Sequence, residues 1–583
     1  MHNNSSSHFT SFDGSTLYYQ HWASSQNSQP KKAIVLFHRG HEHSGRVAHL
    51  VDELNFPEFD FFAWDARGHG HSPGARGDAP SFSACVKDIQ YFMQHIEQHY
   101  AISSENIAII AQSVGAVLAA TWVHDYAPKL RALCLAAPAF DIKLYVPFAE
   151  IGLRAFSKIK TNFFIQSYVK AKMLTHDHAR SSSYDQDPLI ARAISARVLL
   201  GLYDASKRIV QDAYHLYVPT QVLSSGRDFV VFQKPQKQFY ERLPHPKKEF
   251  HVLEGFYHDT LGELDRDIAL QKIHRFIQQC FDEPYQAPQL LNADKIGLSC
   301  AVAETLSTPF PAHSIKNKIW QQIKANLKFA SRFSTGIKIG EDTGYDSGST
   351  LDFVYRNQPE STQLLGKIID QQYLNAIGWR GIRIRKQHIE QLLIKYIEKL
   401  RQQQHAIHIM DIAAGHGRYI LNTISQLPER PSSILLRDYS ALNVTAGQKL
   451  IHNLELEDIA QFIQADAFDQ ASLAATTPQP TIVVVSGLYE LFNENAQILK
   501  SLEGIYQAMQ HGGYLIYTGQ IWHPQQEFIA RALTSHRAGS AWVMRLRAQA
   551  EMDALVEHVG FKKVDQCIDE FGIFTVSVAQ KLE

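Results

Sequence analysis

The run Ile107-Ala108-Ile109-Ile110-Ala111-Gln112-Ser113-Val114-Gly115-Ala116-Val117-Leu118-Ala119-Ala120 decides the reading of the first half of this chain. Its first five residues are apolar and read as a buried strand. The small residues around Ser113 permit a tight turn into a helix. Such a turn lifts the serine hydroxyl clear of the backbone and aims a helix N-terminus at it. The surrounding stretch, 107–123, is the most apolar in the chain, but Gln112, Ser113 and Gly115 interrupt it. It reads as strand, turn and helix rather than as a membrane span.

Similar β-branched or aromatic runs occupy 32–37, 59–64, 130–136, 220–224 and 249–253, with amphipathic stretches such as 82–99 between several of them. This is the βαβ pattern of a mostly parallel, doubly covered sheet, in which function collects beyond the strand C-termini. Asp228 ends Val222-Leu223-Ser224-Ser225-Gly226-Arg227-Asp228, and His258 follows the last strand in Glu254-Gly255-Phe256-Tyr257-His258-Asp259. A serine hydroxyl needs an imidazole to take its proton and a carboxylate to fix that imidazole's tautomer. Ser113, His258 and Asp228 are the candidates for those roles. The backbone N–H groups of Val114 and of the His38-Arg39-Gly40 turn, with Gly40 as its marker, are the candidate oxyanion donors, each worth about 3 kcal/mol. The alternative is that all three are turn residues on a non-catalytic scaffold. His38, His41, His43, His69 and His71 read as loop packing in preference to a metal cluster, so no metal is expected.

These residues, with His41-Glu42-His43-Ser44-Gly45-Arg46 and Asp65-Ala66-Arg67-Gly68-His69-Gly70-His71-Ser72, resemble the monoacylglycerol lipase and lysophospholipase branch of the α/β-hydrolases, of the serine aminopeptidase S33 type. The resemblance spans about residues 10–280 and implies hydrolysis of a carboxylic ester, lipid-like in character. It departs at Ala111, where an elbow glycine is usual, and at Arg39, which brings a cation towards the acyl or head group. Residues 141–219 have helical spacing and are expected to form a cap above Ser113. They mix Tyr145, Phe148, Phe156, Phe163, Phe164 and Tyr168 with Lys143, Arg154, Lys158, Lys160, Lys170, Lys172 and Arg180. That mixture suits an acyl chain with an anionic head group, or docking on an anionic membrane; a solvated charged face is the alternative.

A proline-bearing stretch at 281–288 reads as a linker. Beyond it, 315–333 is an amphipathic basic helix that either packs the halves together or touches a membrane. Residues 335–348 are too glycine-rich for a regular element and suggest a lid over a second site, or a plain connecting loop. Helices at 364–377 and 383–402 precede a second strand and helix alternation, opened by Asp411-Ile412-Ala413-Ala414-Gly415-His416-Gly417. Glycines in such a loop let backbone N–H groups approach a ligand. The next strand ends in Leu435-Leu436-Arg437-Asp438, an acid about twenty residues beyond the loop, where a ribose diol is gripped. The third ends in Gln464-Ala465-Asp466-Ala467, suited to an adenine amino group. Ile420 stands where a dinucleotide loop has its third glycine, so a nicotinamide cofactor is the weaker reading.

This ordered set resembles the class I S-adenosylmethionine-dependent methyltransferases, a Rossmann-like α/β fold, over about residues 365–583. By that resemblance Asp411, Gly415 and Gly417 border the methionine moiety, Asp438 binds the ribose and Asp466 the adenine of S-adenosyl-L-methionine. Tyr489 and Glu490 are candidates for the acceptor side, with packing at the sheet edge as the alternative. Ser486-Gly487-Leu488-Tyr489 is not the signature of enzymes that methylate exocyclic base nitrogens. Together with a net charge of -1, this argues against nucleic acid.

At 583 residues the chain exceeds one core. We expect a hydrolase domain at 1–285, a helical and glycine-rich connection at 286–363, and a methyltransferase domain at 364–583. Five scattered cysteines, and an N-terminus without an apolar segment, read as a reduced cytoplasmic protein, with peripheral contact to the inner membrane face as an option. The expected function is bifunctional: serine ester hydrolysis, and methylation of a small-molecule or lipid acceptor. The alternatives are transacylase or thioesterase work in the first half, or one half serving only as a binding module.

Overall fold

The computed structural model describes residues 2–26, 29–146, 148–160, 162–537 and 539–582. The chain forms two compact units, Met1–Pro288 and Gln289–Glu583.

The first unit is built from strands β1 (Asn3–Thr10), β2 (Thr16–Ala23), β3 (Lys32–Phe37), β4 (Phe59–Trp64), β5 (Ile107–Gln112), β6 (Ala132–Ala136), β7 (Phe164–Gln166), β8 (Ala193–Ser195), β9 (Thr220–Ser225) and β10 (Lys248–Leu253). Eight of them form one sheet in the order β1-β2-β4-β3-β5-β6-β9-β10. From β4 to β10 all neighbours are parallel, while β2 runs antiparallel to β1 and β4. β4, β5 and β6 are buried along their whole length, as expected of parallel strands covered on both faces. Helices Phe82–Tyr100, Val114–Tyr126 and Asp267–Phe281 are among those that cover them. β1 is made from the Asn/Ser-rich N-terminal residues. Between β6 and β9 lie the antiparallel β7/β8 pair and helices Ala149–Ser157, His178–Gln186 and Ala196–Gln211.

The second unit carries β11 (His408–Asp411), β12 (Ser433–Asp438), β13 (Ala460–Gln464), β14 (Ile482–Val485), β15 (Tyr514–Gln520), β16 (Phe561–Ile568) and β17 (Phe574–Lys581). Their order is β13-β12-β11-β14-β15-β17-β16, parallel except for β17, which is antiparallel to both neighbours. The crossover outward from β11 on both sides puts a crevice at the C-terminal ends of β11 and β14.

Residues 289–363 belong to this second unit and do not merely connect two domains. They form helices Leu298–Ser307, Ile315–Ala330, Thr335–Thr343 and Gly348–Arg356. Trp320, Ile323 and Leu327 of the basic helix pack with Ile337, Tyr345, Phe353 and Val354 into the same core as Trp379, Ile529 and Phe574. That helix therefore covers its own unit's core. The expectation that 335–348 lacks regular structure is corrected too. Ser334 caps the first of its helices by accepting the Ile337 N–H. Gly336 and Gly340 serve close packing, since a Cβ there would lie 2.5 Å from the rings of Phe353 and Tyr345. Among the described residues no helix is long and apolar enough to cross a membrane.

Candidate active sites

Ser113 sits between β5 and helix Val114–Tyr126 with φ 55° and ψ −116°, a strained conformation for a residue with a side chain. The turn closes only because Gly115 lacks a Cβ, which would lie 2.4 Å from the His38 carbonyl oxygen. Ser113 Oγ is 2.8 Å from His258 Nε2, and His258 Nδ1 is 2.8 Å from Asp228 Oδ2. A carboxylate only accepts, so Nδ1 donates to Asp228 and Nε2 is left to accept the serine proton. Asp228 is itself held by the N–H groups of Val230 (2.7 Å) and Val231 (3.0 Å) on Oδ1. Burial pushes this carboxyl up, but His258 and the two N–H donors outweigh it and hold it below the usual carboxylate range. All three side chains are buried. Gly40 lies against the elbow, where an added Cβ would be 2.8 Å from Val114 Cγ2. The N–H groups of Arg39, Gly40 and Val114 donate to no partner among the described residues.

These groups open into a cavity of about 530 Å³ whose walls include Leu118, Leu144, Leu153, Val169, Leu199 and Leu202. None of the seven cap cations singled out in the sequence lines it. Arg154 pairs with Glu150 and Asp204, Arg180 with Asp259, and Lys143 donates to the Asp228 carbonyl. Arg39 likewise brings no free charge. Its guanidinium is buried on Glu42 (2.6 Å) with Asp259 at 3.5 Å. The loop histidines pack as hydrogen-bonding groups: His38 Nε2 accepts the Ala66 N–H, His69 Nδ1 donates to the Arg67 carbonyl, and His43 bonds Asp187.

Away from this site, His124, Asp212 and His215 form the one described cluster with metal-ligand spacing. His124 spans Asp125 (2.8 Å) and Asp212 (2.6 Å) with its two ring nitrogens. Burial alone would lower its pKa, but the two carboxylates raise it, so the ring is a charged donor in a buried ion network.

In the second unit a cavity of about 870 Å³ opens at the ends of β11, β12 and β14. Gly415, with φ 57°, lines it. A Cβ on Gly415 would approach only the Gly348 Cα, at 3.5 Å. Asp438 and Asp466 line it as well. Asp438 accepts the Gly415 N–H (2.9 Å) on Oδ2, and the Ser440 N–H (2.9 Å) and Asn443 Nδ2 (3.0 Å) on Oδ1. Asp466 accepts the Phe468 N–H at 2.9 Å. Three other expectations are corrected. Asp411 is fully buried behind the loop, where its carboxyl accepts the Tyr419 hydroxyl at 2.5 Å. Gly417 faces the sheet, since its Cβ would meet Leu436 Cδ1 at 2.5 Å. Tyr489 packs in the core, its hydroxyl bonded to Ser501. Glu490, by contrast, lines a third cavity of about 370 Å³.

The segment 335–348, read from sequence as a lid over a second site or a plain connecting loop, lines the second cavity through Asp342, Thr343, Asp346, Ser347 and Gly348, and the sequence reading missed the residues that follow it. Ser349, Asp352 and Tyr355 line the cavity as well. Asp352 binds Arg418 at the start of the helix after the glycine loop, at 2.5 and 3.2 Å. Nothing in the sequence marks Ser349, Asp352 and Tyr355, because they lie far upstream of the glycine loop and carry no motif.

Two family models match the chain: "Serine aminopeptidase, S33" over residues 28–265 and "Putative methyltransferase" over residues 273–581. The second begins well before 364, as the second unit does. Escherichia coli (strain K12) has a protein, "Uncharacterized protein YnbC", that is 49% identical over 98% of this chain and 97% of its own. The Homo sapiens "Monoglyceride lipase" is 24% identical over 44% of this chain and 84% of its own. Among solved structures, Paleococcus ferrophilus monoacylglycerol lipase is similar at 21% identity and a TM-score of 0.41, covering 45% of this chain and 99% of that one. With an S33-type α/β-hydrolase unit ahead of it, the second unit brings this chain into the family described as "Putative methyltransferase", to which it belongs.

Proposed function

We propose that the first unit is a serine hydrolase of neutral, long-chain carboxylic esters, of the monoacylglycerol type. The observation that carries this is the Ser113–His258–Asp228 relay, with 2.8 Å at each link, at the base of an apolar cavity. Ser113 Oγ attacks the ester carbonyl as its proton passes to His258 Nε2. Asp228 steadies the imidazolium, and the free N–H groups at Val114 and the Arg39-Gly40 turn meet the oxyanion. His258 then hands the proton to the departing alcohol, and water repeats the sequence on the acyl-enzyme. Support for a neutral head group comes from the cavity's charge, since Arg39, Arg67 and Asp78 among its walls are matched by Glu42 and Asp259, by Asp13 and Asp88, and by Arg197.

In the second unit we infer a site for S-adenosyl-L-methionine. The open face of Gly415 supports this, as does Ser486 Oγ, buried in the cavity wall without a partner among the described residues. Asp438 uses three of about four lone-pair positions on its neighbours and keeps capacity for a ribose hydroxyl. Asp466 is the candidate for the adenine amino group. When bound, the cofactor supplies an electrophilic methyl carbon on a sulfonium; the chain's part is to hold the acceptor in line with it.

The test is hydrolysis of p-nitrophenyl and monoacylglycerol esters by wild type and Ser113→Ala, with fluorophosphonate labelling, and S-adenosylhomocysteine binding by calorimetry in both. We expect the variant to lose about 10⁴-fold or more in kcat and all labelling. It should keep wild-type affinity for S-adenosylhomocysteine. Equal ester rates in both proteins would sink the hydrolase reading, and an absence of saturable binding would sink the methyl-donor reading.

A further inference from the structure

The third cavity, of about 370 Å³, is walled by Tyr345, Trp379, Phe528, Trp542 and Phe574. It shares lining residues Asp346, Leu351, Gly487 and Leu491 with the second cavity, so the two meet along one wall. At that shared end stand the two opposite charges of the chamber. The Arg385 guanidinium lies against Gly487, where an added Cβ would be 3.0 Å from Nη2. Glu490 Oε1 accepts the Thr518 hydroxyl at 2.7 Å and lies 3.7 Å from Arg385 Nη1. Five polar atoms of lining residues have no partner among the described residues: Tyr373 Oη, Glu490 Oε2, Arg385 Nε, Gln520 Nε2 and Trp542 Nε1. Tyr373 is half-buried, and the other four belong to residues 3–7% exposed. A protein rarely leaves so many buried polar groups unmatched in one place unless something else completes them.

We propose that this chamber binds the methyl acceptor, and that the acceptor is an uncharged, largely apolar molecule presenting a hydroxyl group; the assignment rests on reading the second cavity as the methyl-donor site. The aromatic walls select an apolar body. The charges select a neutral one, because an anion would face Glu490 and a cation Arg385. The other ionisable groups in the wall add nothing free: Asp346 is taken up by Ser535 and His536. Burial pushes His523 down to about 4, so it lines the chamber as a neutral ring. Its Nδ1 accepts the Gln525 N–H, which leaves Nε2–H as a further donor. Glu490 Oε2 is the acceptor that a hydroxyl requires. As the oxygen takes the methyl carbon, its O–H bond breaks and that proton passes to Glu490 Oε2, while the donor's sulfonium leaves as a neutral thioether.

The experiment uses the full chain without cofactor, labelled with 5-fluorotryptophan, with the Trp379 and Trp542 resonances assigned by Trp379→Phe and Trp542→Phe. Four probes of one shape are titrated by ¹⁹F NMR: 2-naphthol, 2-methoxynaphthalene, 2-naphthoate and 2-naphthylmethylammonium. We expect 2-naphthol to shift both resonances and to bind at least tenfold more tightly than the other three. Glu490→Gln should lower its affinity about tenfold, with S-adenosylhomocysteine affinity unchanged as the check on folding. Equal binding of the four probes, no shift at either tryptophan, or full affinity in a folded Glu490→Gln would overturn the proposal. If Glu490→Gln fails to fold, the four-probe comparison in the wild type decides alone. A chain that binds 2-naphthol here but no S-adenosylhomocysteine would instead refute the methyl-donor reading beneath it.

Discussion

Asp411 ties the glycine loop to the helix after it, accepting the Ala413 N–H and the Tyr419 hydroxyl, and does not line the cavity. Burial pushes its carboxyl up from 3.8 to about 7, against the lowering effect of the Tyr419 hydroxyl. The folded protein therefore keeps a proton that the unfolded chain releases above about pH 4. Unfolding then sheds a proton, so this group's contribution to stability falls as pH rises from about 4 to about 7, and is level beyond. Asp411→Asn fixes the neutral form and keeps a carbonyl for Tyr419. We expect its stability advantage over wild type, read from urea unfolding of the second unit in the full chain, to grow by about 3 kcal/mol between pH 5 and pH 8. A constant difference across that range would mean that Asp411 ionises normally.

Within the cap, helix Ala149–Ser157 presents Gly152 and Leu153 to the hydrolase cavity and leaves Ile151 outside. Phe148, Ile151 and Ile159 are 81%, 66% and 83% exposed, an apolar ridge that water does not favour. If that ridge docks on lipid, replacing all three with serine should cut hydrolysis of vesicle-borne ester tenfold or more and leave soluble short-chain ester untouched. Equal losses on both substrates would assign the ridge to cavity structure instead. Legibility in the sequence followed the same elements. The meeting of Ser113, Asp228 and His258 could be anticipated because each lies just beyond a strand of one parallel sheet, so order along the chain and position agree. Of Arg39's two partners, Glu42 lies three residues on and was open to a sequence reading, whereas Asp259 reaches it only through the fold. β1 was missed because its Asn and Ser residues face solvent and lack the alternation of a half-buried strand. Gly336 and Gly340 were misread as loop because glycine marks close packing as readily as it marks a turn.

Across the whole molecule, the two units have separate cores, and the second draws on residues that sequence pattern assigned to a connection. A fragment beginning at 289 should fold and match the full chain in its affinity for S-adenosylhomocysteine. One beginning at 364 loses Ile337, Tyr345, Phe353 and Val354 from its core and should show no cooperative melting transition. Cooperative melting of the shorter fragment would show that the added helices are decoration. The same segment also ties the two cavities together. Asp346 and Leu351 each belong to the walls of two neighbouring cavities, so a shift that widens one reshapes the other. A ligand that displaces this segment in one cavity is therefore expected to alter affinity in the other.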